Sequence, residues 1–402
     1  MRLLSASTLV AEFGWYLLFP GYFFYHVLLA AGVMPPFAGG LFGPGTFVLA
    51  MLFMPATAAI VARYRRGAEG LLVAVGLFLF YCVAWLGIQH YTAAPPYRAE
   101  AALQVITFLC SAYTLFLIGA NLVPEERRFK IFLALSSFAV AILVVGLFDT
   151  ERLLFYPREL FESDDEGSST YQGYARSALI VSLFLLAQCT RFISKMSLAF
   201  VTTIVLFLLG ARSELFSYVG LIGVVLVIDS WRSPKRLLAL AFALILASGL
   251  VVRHIESLEA SRQLQVLNLA GASSWILREQ YLDVALRQVL EHPVIGVHAG
   301  HFEAGGVGSY AHNAVSAWVS FGLMGFVLYV GLTAYSTGLS IYGYWRSGGA
   351  PSPWRLAFYV NLVCMILVIA AKPVFWAIPP LGWGLAVNAL CRARAQRARV
   401  RQ

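Results

Sequence analysis

Ser309-Tyr310-Ala311-His312-Asn313 runs straight into an apolar stretch, 314–336, that carries no charged residue. At 1.5 Å per residue a helix of that length reaches across a hydrocarbon core of ~30 Å. Outward from it the same pattern recurs, with apolar runs at 8–31, 42–62, 70–90, 101–121, 131–148, 174–190, 197–210, 215–228, 237–252, 355–371 and 374–390. The whole chain of 402 residues is 60% hydrophobic and 12% charged, with a mean hydropathy of +0.76. Soluble domains sit nearer 45–50% apolar and ~25% charged. An all-α integral membrane protein is therefore expected, a helical bundle rather than a barrel, because most of the runs are long enough to span as helices. Cys82, Cys110, Cys189, Cys364 and Cys391 lie within runs or at their ends, in no disulfide or zinc spacing. No small-residue cleavage signature follows the first run, which reads as a signal-anchor.

The breaks between runs alternate in charge. Arg2, Arg63/Arg65/Arg66, Arg127/Arg128/Lys130, Arg191/Lys195, Arg232/Lys235/Arg236, Arg346/Arg355 and the five arginines after Cys391 hold 19 of the 29 basic residues, against four acids. The other breaks carry 10 basic residues against 15 acids. Positive charge marks cytoplasmic loops, so strict alternation predicts about twelve transmembrane helices with both termini cytoplasmic. The net charge of +9 is then a topology signal, and no nucleic acid is expected as a partner.

Two outer segments are large: an acidic loop at 149–174, and a periplasmic insert at 253–312. Bundles need only short connections, so sixty polar-rich residues point to chemistry. The chain divides accordingly into 1–252 (spans one to nine), 253–312 (the insert) and 313–402 (spans ten to twelve with a basic tail). The seventh and eighth runs have cytoplasmic flanks but only ~14 residues each, ~21 Å of helix. Their tip, Gly210-Ala211-Arg212-Ser213-Glu214, is therefore expected below the outer surface, where a charge must face protein or water. Arg212 there either pairs with Glu214 or serves a function. Within the insert, Ser273/Ser274 cap a helix that ends before His292-Pro293. Trp275, Leu282, Ala285, Leu286 and Val289 share one face of it. An interfacial helix over 273–291 is expected, apolar side toward the membrane, with Arg278 on that apolar side. Four histidines (292, 298, 301 and 312) follow within 21 residues. His298, His301 and Glu303 are zinc-type donors, but a glycine-rich loop lacks the rigid spacing of a metal motif, so no metal is expected.

These residues resemble the O-antigen ligase/polymerase family of bacterial envelope glycosyltransferases. The resemblance covers roughly 170–336: the Arg-Ser turn at Gly210-Ala211-Arg212-Ser213, the insert helix with Arg278, Pro293-Val294-Ile295-Gly296 leading to His312-Asn313, then Gly322-Leu323-Met324-Gly325. Here eight residues separate Asn313 from Gly322, one fewer than the family usually has. Gly296-Val297-His298 also stands where Gly-x-Gly is common. The resemblance implies a membrane glycosyltransferase fold (GT-C-like) in the bacterial inner membrane. The donor would be a glycan on undecaprenyl diphosphate, used at the periplasmic face without metal or other cofactor. Breaking the donor C–O bond requires a neutralised diphosphate and a base for the acceptor hydroxyl. Arginine suits the first role and a histidine near its ordinary pKa the second. His312 is accordingly expected as general base and Arg212 and Arg278 as the diphosphate clamp. Arg176 would assist, and Asn313 would orient the base or the sugar. The acceptor is a lipid A core for a ligase, or another glycan for a polymerase. A polyprenyl-linked glycan transporter or flippase is the competing class, though no related halves are visible.

Overall fold

The computed structural model describes residues 2–35, 41–91, 95–149, 154–155, 157, 171–230, 238, 273–306, 308–348 and 352–400. Helices dominate it: α1 (Arg2–Tyr16), α2 (Tyr22–Ala30), α3 (Phe42–Phe53), α4 (Thr57–Gln89), α5 (Arg98–Asn121), α6 (Arg127–Gly146), α7 (Tyr171–Gln188), α8 (Phe192–Leu208), α9 (Arg212–Ser230), α10 (Ser273–Glu291), α11 (Gly300–Glu303), α12 (Val315–Arg346), α13 (Pro353–Ala370) and α14 (Pro379–Val400). The one β pairing among the described residues joins Phe148–Asp149 to Leu154–Phe155.

Seven described stretches are long and apolar enough to cross a membrane: Ala6–Ala30, Phe42–Arg65, Gly67–Gln89, Arg98–Asn121, Arg127–Gly146, Val315–Arg346 and Pro353–Ala370. The chain is an all-α, multi-pass membrane protein. These seven are the first five, the tenth and the eleventh runs of the sequence. The sixth, seventh, eighth and twelfth runs form helices α7, α8, α9 and α14, which fall outside the seven because they are shorter or carry more polar residues. The ninth run, the 253–272 part of the insert and most of the 149–174 loop lie outside the described residues.

Helix α14 sits in the core, with Leu381, Trp383, Ala386 and Val387 fully buried. Glycines let it approach α5 to backbone contact. A Cβ on Gly119 would meet the Leu381 carbonyl oxygen at 2.3 Å, and one on Gly384 would meet that of Phe116 at 2.1 Å. Small residues at such crossings replace the hydrophobic drive that lipid cannot supply. Polar bonds add to it. Asn361 Nδ2 donates to the Gly382 and Ala357 carbonyls at 2.8 Å, while Ser336 Oγ donates to Asn361 Oδ1 at 2.9 Å. One asparagine thereby ties α12, α13 and α14 together.

The breaks grouped by charge in the sequence meet one another at opposite ends of the bundle. At one end Arg392 binds both Glu125 oxygens at 2.9 Å, and Arg355 donates to the Cys189 carbonyl at 2.9 Å. At the other, Tyr97 stacks on Phe302, and Lys372 pairs with Glu214.

Helix α12 is broken at Gly322, whose φ of 68° and ψ of −178° are not helical. The break is filled by the loop after α10. In an unbroken helix Leu323 N–H would donate to the Val319 carbonyl. Here Leu323 N–H donates to the Val294 carbonyl at 3.1 Å, and Val297 N–H donates to the Val319 carbonyl at 2.7 Å. The next freed carbonyls, of Ser320 and Phe321, accept from Trp85 Nε1 (3.2 Å) and the Tyr81 hydroxyl (2.7 Å) on α4. Irregular backbone at membrane depth persists only when satisfied in this way. Gly296 (φ +72°) and Gly322 face each other. A Cβ on either would stand 2.5 Å from a carbonyl oxygen of the opposite segment.

Two expectations are corrected. The α8–α9 hairpin is not built from ~14-residue legs, because its helices run 17 and 19 residues, about 25 and 28 Å. Lys195, read as a cytoplasmic flank, is instead a buried part of α8, ion-paired with Asp229 of α9, whose other oxygen accepts from the Tyr344 hydroxyl at 2.8 Å. What the structure gives for the tip is enclosure by protein, with Leu209 fully buried and Ala211 1% exposed. Nor is the whole apolar face of α10 free for the membrane. Ala285 and Val289 pack with Ala311 and Val319 of the protein, and Leu286 is left 43% exposed.

The paired glycines generate a stability prediction. Gly322→Ala forces a side chain into left-handed backbone and against a carbonyl, so it should cost at least roughly 1–3 kcal/mol. Gly331→Ala in the same helix, where a Cβ meets nothing within 4 Å, should be neutral or slightly stabilising. Thermal unfolding of the two detergent-purified variants checks the contrast.

Candidate functional site

His312 is placed by the start of α12. Asn313 turns the chain into the helix: its Oδ1 accepts from Val315 N–H at 3.0 Å, and its carbonyl accepts from Ser316 Oγ at 2.7 Å. Ser316 Oγ in turn accepts from Val374 N–H at 2.8 Å. That bond fastens the irregular segment between α13 and α14 beside the histidine. Asn313 thus acts as a capping residue here, and the structure gives its side-chain oxygen to the backbone rather than to His312.

The imidazole of His312 lies edge-on to Tyr310, 6.0 Å between centroids. Tyr310 continues into a ring cluster with His301 (5.3 Å) and Phe375 (5.8 Å). Burial removes water from His312, and two cations, Arg278 and Lys372, act on it; together they lower its pKa to about 4. The expectation of an ordinary histidine pKa is therefore corrected. Desolvation is the largest cause, so His312 is a neutral imidazole throughout the physiological range.

Lys372 was not singled out in the sequence. It stands in the two-residue gap between the eleventh and twelfth runs, and the structure opens that gap into an irregular segment over 371–378. Its Nζ lies 2.6 Å from Glu214 Oε1, with the two side chains 6% and 0% exposed. Ser213 Oγ donates to the other carboxylate oxygen at 2.7 Å. Glu214 therefore pairs with Lys372, a partner not weighed from the sequence. The signal was available as a lone cation between Arg355 and Arg392 in an otherwise uncharged stretch.

Arg212 opens α9, two residues before Glu214 and next to Ser213. Arg176 on α7 lies within the electrostatic reach of Glu214. Its guanidinium carbon is held 4.0 Å from the Phe42 ring centroid and 4.7 Å from that of Tyr22. The two rings, 6.3 Å apart and nearly perpendicular, hold the guanidinium by cation–π contact, and Tyr22 also hydrogen-bonds it. Arg278, on the partly buried face of α10, reaches the group from the insert. The structure thus brings His312, Arg278, Lys372, Glu214 and Arg176 into one electrostatic neighbourhood. Arg212 sits at its edge, and the cations acting on His312 are Arg278 and Lys372.

His298 and His301 are both buried, and burial lowers both pKa values, that of His301 to about 4. Glu303 is exposed and turned from them. Among the described residues no three His, Cys, Asp or Glu side chains are placed to hold one metal ion. The local order comes from α10: Gln288 Nε2 donates to the Gly300 carbonyl at 2.9 Å, and Trp318 Nε1 donates to that of Pro293 at 2.6 Å.

Breaking the Lys372–Glu214 pair strands a buried charge. Lys372→Met should cost about 3–5 kcal/mol, whereas the double variant Lys372→Met/Glu214→Gln should recover most of it. Equal melting temperatures for the single variant and the parent would show that the pair is solvated.

Compared with known proteins, the chain matches no family model and no curated protein.

Proposed function

We propose that this protein is a metal-independent glycosyltransferase that moves a glycan from undecaprenyl diphosphate to an acceptor hydroxyl. In this reading it works as an O-antigen ligase, with a lipid A core as acceptor. It lies in the bacterial inner membrane with twelve spans, both termini cytoplasmic and the site periplasmic. The observation that carries the reading is a neutral, half-buried histidine on which Arg278 and Lys372 act, at the end of the bundle opposite the arginine-rich C-terminal breaks.

The acceptor oxygen attacks the anomeric carbon, and the bond from that carbon to the diphosphate oxygen breaks. The electron pair leaves with undecaprenyl diphosphate, and the acceptor proton passes to His312. Arg278, Arg212 and Arg176, joined by Lys372, stabilise the departing charge. The lowered pKa has a role in this sequence. Without donor, loss of water and, to a smaller extent, the two cations hold His312 in its unprotonated form, ready to accept a proton. Once the diphosphate arrives it offsets those cations, so the imidazole becomes a stronger base just when the acceptor hydroxyl must be deprotonated. Glu214 holds Lys372 in place until then. Its carboxylate also keeps the buried cations from repelling one another.

Purified protein, undecaprenyl-diphosphate-linked glycan and lipid A core test the reading directly. His312→Ala should reduce glycan transfer about 10²–10⁴-fold at unchanged protein level, and retained transfer would remove the base assignment. The pH profile supplies a second check. In kcat/KM, which reports the free enzyme, the acid limb should fall near pH 4; in kcat, which reports the donor complex, it should move upward, because the diphosphate offsets the two cations while the desolvation remains. Arg278→Gln removes a cation that depresses His312 and should shift the kcat/KM limb upward. An acid limb at about 6.5 in both parameters would contradict the electrostatic assignment.

A further inference from the structure

At the end of the bundle opposite His312, α12 finishes at Arg346, α13 begins at Pro353, and the last turns of α14 pass beside both. A groove of about 630 Å³ lies between them. Its walls are Leu339, Trp354 and Leu390, and its rim carries Tyr342, Arg346 and Arg394, with no Asp or Glu in the lining. The neighbouring outward surface is apolar, with Tyr342 54% and Trp345 64% exposed. Both Val315–Arg346 and Pro353–Ala370 are membrane-crossing stretches by length and composition, so the rim stands where a hydrocarbon core gives way to headgroups.

We infer that this groove is a binding site for an anionic phospholipid, its phosphate on Arg346 and Arg394 and an acyl chain along Leu339, Trp354 and Leu390. The chemistry of the lining selects that occupant. An acyl chain fits the apolar walls, and two guanidiniums without a carboxylate select a headgroup with net negative charge. A zwitterionic headgroup would bring a cation with no acid to meet it. Arg346 is already oriented toward such a headgroup, because it donates to the Tyr342 hydroxyl at 2.9 Å with its guanidinium 6.0 Å from that ring. One of its five N–H donors is used in this way, and the others can form the bidentate pattern phosphate prefers.

A second groove of about 290 Å³ shares Ser352, Pro353 and Gln396 with the first and carries Lys130, Arg392 and Glu125. Arg392 there is bound to Glu125 through both carboxylate oxygens. That pair neutralises itself and leaves Lys130 as the net charge of the second groove, against two guanidiniums in the first, so the headgroup charge is drawn more strongly to the Arg346/Arg394 side. Basic clefts between helix ends at a membrane boundary hold acidic lipids by this combination of burial and charge.

Trp354 lines the groove and serves as its probe. Nanodiscs of phosphatidylcholine are doped with acyl-brominated phosphatidylglycerol or with acyl-brominated phosphatidylcholine. The Trp354 signal is the difference between the parent and Trp354→Phe. Quenching should favour the anionic lipid by roughly fivefold per arginine, up to roughly 25-fold for the two, and Arg346→Gln/Arg394→Gln should bring the preference to one. Quenching by the remaining tryptophans should not change between parent and double variant, which reports that the bundle is intact. Equal quenching by the two lipids in the parent would overturn the assignment, as would a preference that survives the double substitution. Absence of quenching by either lipid would also overturn it, since the groove would then be closed by protein such as a second copy of the chain. Glycan transfer plays no part in these readouts.

Discussion

The arrangement of this protein depends on one exchange of backbone hydrogen bonds. Helix α12 gives up its own bond between Val319 and Leu323, and the loop Val294–Val297 supplies a carbonyl to one and an N–H to the other. Two glycines at positive φ, Gly296 and Gly322, make the approach possible. In hydrocarbon each unsatisfied polar group costs several kcal/mol, so the loop and the helix cannot separate cheaply. The carbonyls of Ser320 and Phe321, satisfied by Trp85 and Tyr81, extend the same constraint to α4. A loop rich in glycine is thereby held on a rigid frame, and His312 inherits its position from that frame.

Charge is the second organising term. Lys372 and Arg176 lie close to one buried acid, Glu214, and Lys372 and Arg278 both act on His312. Burial makes each of these charges costly alone. It also makes them strong on a neighbour, because screening is weak. His312 shows the result: a neutral imidazole whose proton affinity is set by its burial and the charges around it more than by its own chemistry. A site of this kind responds to the arrival of an anion, since the same cations that depress the histidine are the ones an anion would occupy.

The asparagine beside the histidine separates two kinds of role that a motif runs together. His312-Asn313 reads as a unit in the sequence, yet the structure spends the Asn313 side-chain oxygen on the first N–H of α12. Ser316 then links that turn to Val374, which brings Lys372 and Phe375 beside the histidine. The asparagine holds the geometry of the turn, and the histidine before it stands against the Tyr310 ring.

Hydropathy by itself determined the all-α membrane class, most helix positions and the ends at which breaks gather, because the bilayer penalises every exception along a single chain. It also placed the 273–291 helix and marked Arg278, since amphipathic periodicity is a local property. It did not reveal Lys372 as the partner of Glu214, the docking of α10 on protein, the buried Lys195–Asp229 pair, or the depressed pKa of His312. Each of these depends on which segments meet across the fold, and neither burial nor the sum of nearby charges is written in any one segment. Gly296 and Gly322 belong to both categories. Their spacing stood out as a pattern in the chain, but only the folded structure shows that each glycine is there to admit the backbone of the other.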